Sequence, residues 1–177
     1  MLRNYINMPV NFNAIIKNVL DISTIDPTRY VAPYIQTRWL LLSSLCFLGP
    51  CIYGYQKEQY FLAIISLLTT SCSINFWRDA TYSYRRSADC IMAKITFIVY
   101  IIRGVPYVTW MPFIVTGYGA LVALIYCYYM SNKHADSDLW WKYHMMFHLL
   151  ISYTQFIGIK SIADYESIAD YESICEK

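Results

Sequence analysis

Five apolar runs, each close to the length that crosses a bilayer, follow one another along this chain, at 39–55, 60–77, 88–102, 106–130 and 140–159. A hydrocarbon core about 30 Å thick is crossed by about 20 residues of helix, with roughly 17–25 as the working range. A single compact core built from 177 residues would not hide five such runs, whereas lipid would. Hydrophobic residues make up 57% of the chain and charged residues 15%, against about 45–50% and about 25% in soluble domains. The expected fold class is all-α, a multi-pass transmembrane helix bundle of about five spans. Its expected divisions are an N-terminal segment at 1–38, the bundle at 39–159 and an acidic repeat tail at 160–177.

The flanks of the runs support this reading. Eighteen tyrosines and five tryptophans, many beside the runs, suit the interfacial belts where amphipathic rings settle. Residues 10–22 space Phe12, Ile15, Ile16, Val19 and Leu20 as one helical face, with Asn11, Asn13, Lys17, Asn18 and Asp21 between them. The spacing predicts an amphipathic surface helix, lying on lipid or on the bundle's own flank and ending before Pro27. Residues 1–9 hold no continuous apolar core, so the first span is expected to act as its own targeting signal. A net charge of +2 and the lack of basic runs interleaved with aromatics argue against nucleic acid as a partner. Membrane lipid is the expected partner, and a protein partner or homo-oligomer is not specified. The six cysteines, at 46, 51, 72, 90, 127 and 175, have no repeating paired spacing and read as small buried hydrophobes.

Gly49 and Pro50 interrupt the first span, which stays helical if neighbours satisfy the backbone groups that proline frees. The third run is short and carries Lys94; the fourth is long enough for one tilted helix, although Pro112, Gly117 and Gly119 could kink it or split it into a re-entrant pair. With five spans, Arg3, Lys17, Arg29, Arg38, Arg78, Arg85, Arg86, Lys133 and Lys142 share the N-terminal side, against Lys57, Arg103, Lys160 and Lys177 on the other. The positive-inside rule then places the N-terminus in the cytoplasm. The tail repeats SIADYE at 161–166 and 167–172 and begins a third copy, SICEK. A six-residue period fits neither one helix face nor a stacked solenoid, so the reading is a duplication in an exposed acidic tail, or a short motif shown twice.

Alternation of the spans puts Ser73, Asp89, His144 and His148 at one depth near one end of the bundle. Ionisable groups in hydrocarbon are costly unless partnered, which marks this cluster as the candidate site. His144 and His148 stand four apart, on one helix face, as paired histidines of helical zinc sites do.

Ser73 with residue 77 four further on, Asp89 after Arg85 and Arg86, and His144 with His148 opening the last span follow a known order. The arrangement resembles the superfamily of membrane hydrolases that joins alkaline ceramidases, progestin and adipoQ receptors, and hemolysin III proteins. The resemblance covers 60–158 at most and implies a zinc ion held by three histidines, with the Asp and Ser hydrogen-bonding the zinc-bound water. Ser73, Asp89, His144 and His148 match that pattern. Trp77 takes the place of the first histidine, and an indole donates one N–H and cannot ligate. The spans also number five rather than seven.

On this resemblance His144, His148 and Asp89 are the expected metal ligands, with Asp89 supplying the third bond, and Asp89 and Ser73 are the expected catalytic pair. Cys72 and Cys90 lie off the face of the cluster. The structural alternative pairs Asp89 with Arg85, Arg86 or Lys94 and lets His144 meet its carboxylate. Three functions are compatible: a non-catalytic membrane protein locked by this cluster or keeping an altered metal site, a zinc-dependent hydrolase of a lipid amide or ester, and a proton or ion pathway. The pathway ranks last because these polar residues lie at one depth. No Gly-rich phosphate loop, G-x-S-x-G elbow or C-x-x-C pair is present.

Overall fold

The computed structural model describes residues 26–108, 111–135 and 137–175, so the expected amphipathic helix at 10–22 lies outside the described residues. Within them the chain is almost entirely helical. Helix α1 (Tyr34–Ser44) passes through a 3-10 turn (Leu45–Phe47) into α2 (Leu48–Gln56). Helices α3 (Tyr60–Trp77), α4 (Tyr84–Gly104), α5 (Met111–Lys133) and α6 (Trp140–Cys175) follow. Two short strands join them: β1 (Asp26–Tyr30) pairs antiparallel with β2 (Thr81–Tyr82), tying the chain ahead of α1 to the α3–α4 loop.

Among the described residues, three helical stretches are long and apolar enough to cross a membrane: Tyr34–Gln56, Tyr60–Trp77 and Phe113–Lys133. These correspond to the first, second and fourth of the five expected spans. The third lies within α4, where Arg85, Arg86, Asp89, Lys94 and Arg103 dilute the apolar residues. The fifth lies within α6, which continues through the repeat tail. Helix α5 is one uninterrupted helix rather than a split pair. Pro112 stands in its first turn, where the missing N–H has no intrahelical acceptor to lose.

Pro50 cannot donate to the carbonyl four residues back, so the oxygen of Cys46 lacks its usual helical donor and has room for another. Ser152 of α6 supplies it, its hydroxyl donating to that oxygen at 2.7 Å. The expected rescue of a broken helix by a neighbour is therefore visible atom by atom. Trp140 Nε1 donates to Gln36 Oε1 at 3.1 Å, and Ser43 meets His148 at 2.8 Å. Partners 36, 43 and 46 ascend with 140, 148 and 152, so α1 and α6 run parallel and in step.

Helix α6 passes through every core cluster. Trp140, Trp141 and Met145 pack on Leu40, Phe76, Trp77 and Ala80. Phe147, Leu150 and Ile151 meet Phe47 and Leu124. Further along, Ile159 and Ile162 join Leu62, Ile65 and Tyr100. A Cβ on Gly104 would lie 3.2 Å from the Cα of Gly158, so α4 and α6 cross in backbone contact. The α2–α3 turn closes with Glu58 at φ 60°, a left-handed conformation that costs a side chain about 1 kcal/mol.

Candidate functional site

The site is built on α3, whose apolar sequence carries a stripe of hydroxyls at 66, 69 and 73. That spacing puts Ser66, Thr69 and Ser73 on one face, and the face is turned to α4. Ser66 shares a hydrogen bond of 2.8 Å with the Tyr100 hydroxyl, Thr69 one of 2.6 Å with Thr96, and Ser73 lies beside the Asp89 carboxyl. The order 100, 96, 89 descends as 66, 69, 73 ascends, as antiparallel helices require. All three hydroxyls of the stripe are buried. The polar pairs of this seam thus occupy three depths, of which Ser73 and Asp89 take the last.

At the end of this seam two adjacent serines of α1 connect the carboxylate side to the imidazole side. Ser44 Oγ lies 2.9 Å from Ser73 Oγ, and Ser43 Oγ lies 2.8 Å from His148 Nδ1. Both hydroxyls also reach the carbonyl of Leu40, at 2.9 Å from Ser43 and 2.8 Å from Ser44. Each has one hydrogen to give. With that of Ser43 on Leu40, the bond to the ring runs from His148 Nδ1–H to the serine oxygen. His144 turns its Nδ1 toward Ser131 Oγ of α5, at 3.4 Å.

Ser73, Asp89, His144 and His148 are therefore gathered in one patch, joined through Ser43 and Ser44. Their partners differ from those expected. Arg85 forms its ion pair with Asp79, and Arg86 stands over the Tyr82 ring at 4.9 Å, as Arg29 does at the same distance. His144 faces a serine, where the sequence suggested the Asp89 carboxylate.

The zinc implied by the resemblance does not fit these residues. Among the described residues no three His, Cys, Asp or Glu side chains lie close enough to share a metal ion. The set His144, His148 and Asp89 therefore does not form here. Its carboxylate lies beside Ser73 on the α3–α4 seam, while the imidazoles lie side by side with ring centres 4.9 Å apart. Trp77 fills the space beside them, its ring centre 5.3 Å from His144 and 6.3 Å from His148. The indole is 2% exposed, and its Nε1 has no hydrogen-bond acceptor. The indole nitrogen is a donor only and offers a metal no lone pair, so Trp77 does not replace the missing ligand.

Sequence reasoning missed Ser43, Ser44 and Ser131, and with them the links between helices. The Ser66, Thr69, Ser73 stripe had a readable signal in its helical spacing within an apolar run. The Ser43–Ser44 pair had a weaker one, because a hydroxyl in an apolar helix can equally well bond its own backbone. No protein-family profile, no curated protein and no solved structure matches the chain.

Proposed function

We propose that this chain is a non-catalytic, multi-pass membrane protein, in contact with membrane lipid, whose Ser/Asp/His/His cluster locks the helices together. The reading rests on one observation: polar atoms of the cluster are spent on hydroxyls of a neighbouring helix, Ser73 meeting Ser44 and His148 meeting Ser43, with Asp89 beside Ser73. Interhelical bonds of this kind contribute about 0.6 kcal/mol each in a bilayer, up to about 1.7, so the set together holds several helices in one register. The protein's role is then to present its ends to a partner.

The arginines support an orientation. Arg29, Arg38, Arg78, Arg85 and Arg86 belong to the end that carries β1 and β2, and the positive-inside rule places that end in the cytoplasm. Terminal reporter fusions test the topology: reporters at the two termini should read opposite sides, and the same side would remove the five-span arrangement. Zinc content of the purified protein tests the function. We expect none above background, and no change in His144→Ala/His148→Ala; stoichiometric zinc lost in that variant would replace this reading with a zinc-dependent hydrolase of a lipid amide or ester.

The three tiers of hydroxyls favour one second reading, a proton pathway along the α3–α4 seam. Proton flux into proteoliposomes that falls in Asp89→Asn would establish it in place of the lock.

A further inference from the structure

Helices α4 and α5 both pack on α6 and scarcely on each other, which leaves a cleft between them with α6 as its floor. The cleft encloses about 70 Å³, several times what one water needs by the same measure. Its walls are almost wholly apolar, with Phe97, Tyr118 and Leu121 at the sides and Gly117 leaving its width open. Phe97 and Tyr118 are 40% and 44% exposed, so the cleft opens sideways, where lipid would lie.

One polar side chain on its floor is unfinished. Gln155 is 1% exposed. Its Oε1 accepts from Ser66 Oγ at 3.4 Å, and Ser66, whose one hydrogen goes to the amide, accepts in turn from the Tyr100 hydroxyl at 2.8 Å. This chain fixes the amide plane. The other end of the amide, Nε2, has two hydrogens and no acceptor, although buried polar groups are otherwise paired almost without exception. The unpaired donor belongs to a residue that lines the cleft.

We propose that the cleft binds a small lipophilic carbonyl compound, of the ring ketone kind, whose oxygen accepts from Gln155 Nε2. Depth argues against the ester of a bilayer phospholipid as the acceptor. Ser66 is the seventh residue of α3, about 10 Å inside the end of that helix, and a headgroup would have to be dragged below the interface for its ester to reach Gln155. A ring ketone carries its acceptor into the hydrocarbon with it. The aromatic walls take its flat faces, and the fixed amide supplies the single directional contact that apolar sites use to orient a ligand.

The test uses the full chain in detergent micelles with 1-tetralone and tetralin, two bicyclic compounds of one shape that differ in the carbonyl. Tetralone should bind about tenfold more tightly, the effect of one buried hydrogen bond, read as displacement of the thermal unfolding curve. Its carbonyl stretch should move to lower frequency on binding. In Gln155→Leu or Gln155→Met the preference should vanish, and Gly117→Leu should weaken both compounds by filling the cleft. Equal binding of the two compounds to the wild type, an unshifted carbonyl band, or a preference that survives in a folded Gln155 variant would each overturn the proposal. The measurement is made in micelles and does not depend on the number of spans.

Discussion

The hexapeptide SIADYE at 161–166 is packed into the bundle, whereas the identical letters at 167–172 stand off it. Ile162 is 3% exposed and sits among Leu62, Ile65, Tyr100 and Ile159, while Ile168 is 58% exposed. Tyr165 lies against Tyr107 with ring centres 5.1 Å apart; Tyr171 is 70% exposed. Glu166 accepts from Gln59 Nε2 at 2.6 Å, and Lys160 pairs with Asp164 at 3.0 Å. Both copies belong to one helix. A step of six residues turns a helix by about 240°, so the second copy shows the bundle a different face, and it also stands farther along the axis. The local sequence sets the helix, and only position on the bundle decides what is buried.

The largest expected effect separates the two isoleucines. Ile162→Ala should destabilise the protein by about 2–4 kcal/mol, as truncation of a packed isoleucine does, and Ile168→Ala by less than about 0.5 kcal/mol. Thermal or denaturant unfolding in micelles measures both, and similar losses would mean that the second copy is docked too.

A smaller separation is expected at the tyrosines. Tyr165→Ala should cost about 1 kcal/mol through its edge contact with Tyr107, while Tyr171→Ala leaves the midpoint of unfolding where it was. A loss at Tyr171 would reveal a contact made in solution by the second copy.

The smallest effect is electrostatic and depends on what precedes each copy. Asp164 has Lys160 four residues before it, whereas Asp170 has Glu166. The hydrogen bond that Lys160 donates to Asp164, with the carboxylate's charge, raises the lysine's proton affinity above the usual range for an ammonium group. A raised lysine contributes stability that is fully present below its unfolded value and lost as pH rises through the folded one, so the loss falls at alkaline pH, above the ordinary lysine value of about 10.4. Both side chains are open to solvent, which limits the pair to about 0.3–0.5 kcal/mol. Unfolding curves between neutral and strongly alkaline pH should show this loss in wild type and not in Asp164→Asn, while Asp170→Asn keeps it.

Much of the molecule was legible from the residues. Apolar run length marked the three helical stretches able to cross a membrane, and alternation placed Ser73, Asp89, His144 and His148 together. The rest depends on partners that no local pattern names. Lys94 and the arginines dilute α4 below the apolarity of a span, and whether such a helix crosses lipid depends on which face its neighbours cover. Asp89 reads as a metal ligand when its nearest polar companions are taken to be histidines, and as a link in a seam once Ser73 is seen beside it. The extension of α6 through the repeat was hidden because a six-residue period matches no helix face, although every residue of SIADYE is compatible with a helix.

The bond from Ser152 to the carbonyl of Cys46 joins residues 106 positions apart, and those from His148 to Ser43 and from Trp140 to Gln36 span 105 and 104. In order of synthesis, the first helical stretch of the bundle is finished by the last. At about 5–20 residues per second, roughly 5–20 s pass after Cys46 is made before Ser152 exists. During that interval the carbonyl freed by Pro50 needs a temporary donor, supplied by water or by the machinery that holds the nascent chain. A ribosome stalled before residue 152 would therefore display α1 and α2 with their hydrogen bonding incomplete, a state that the finished protein never revisits while α6 stays in place.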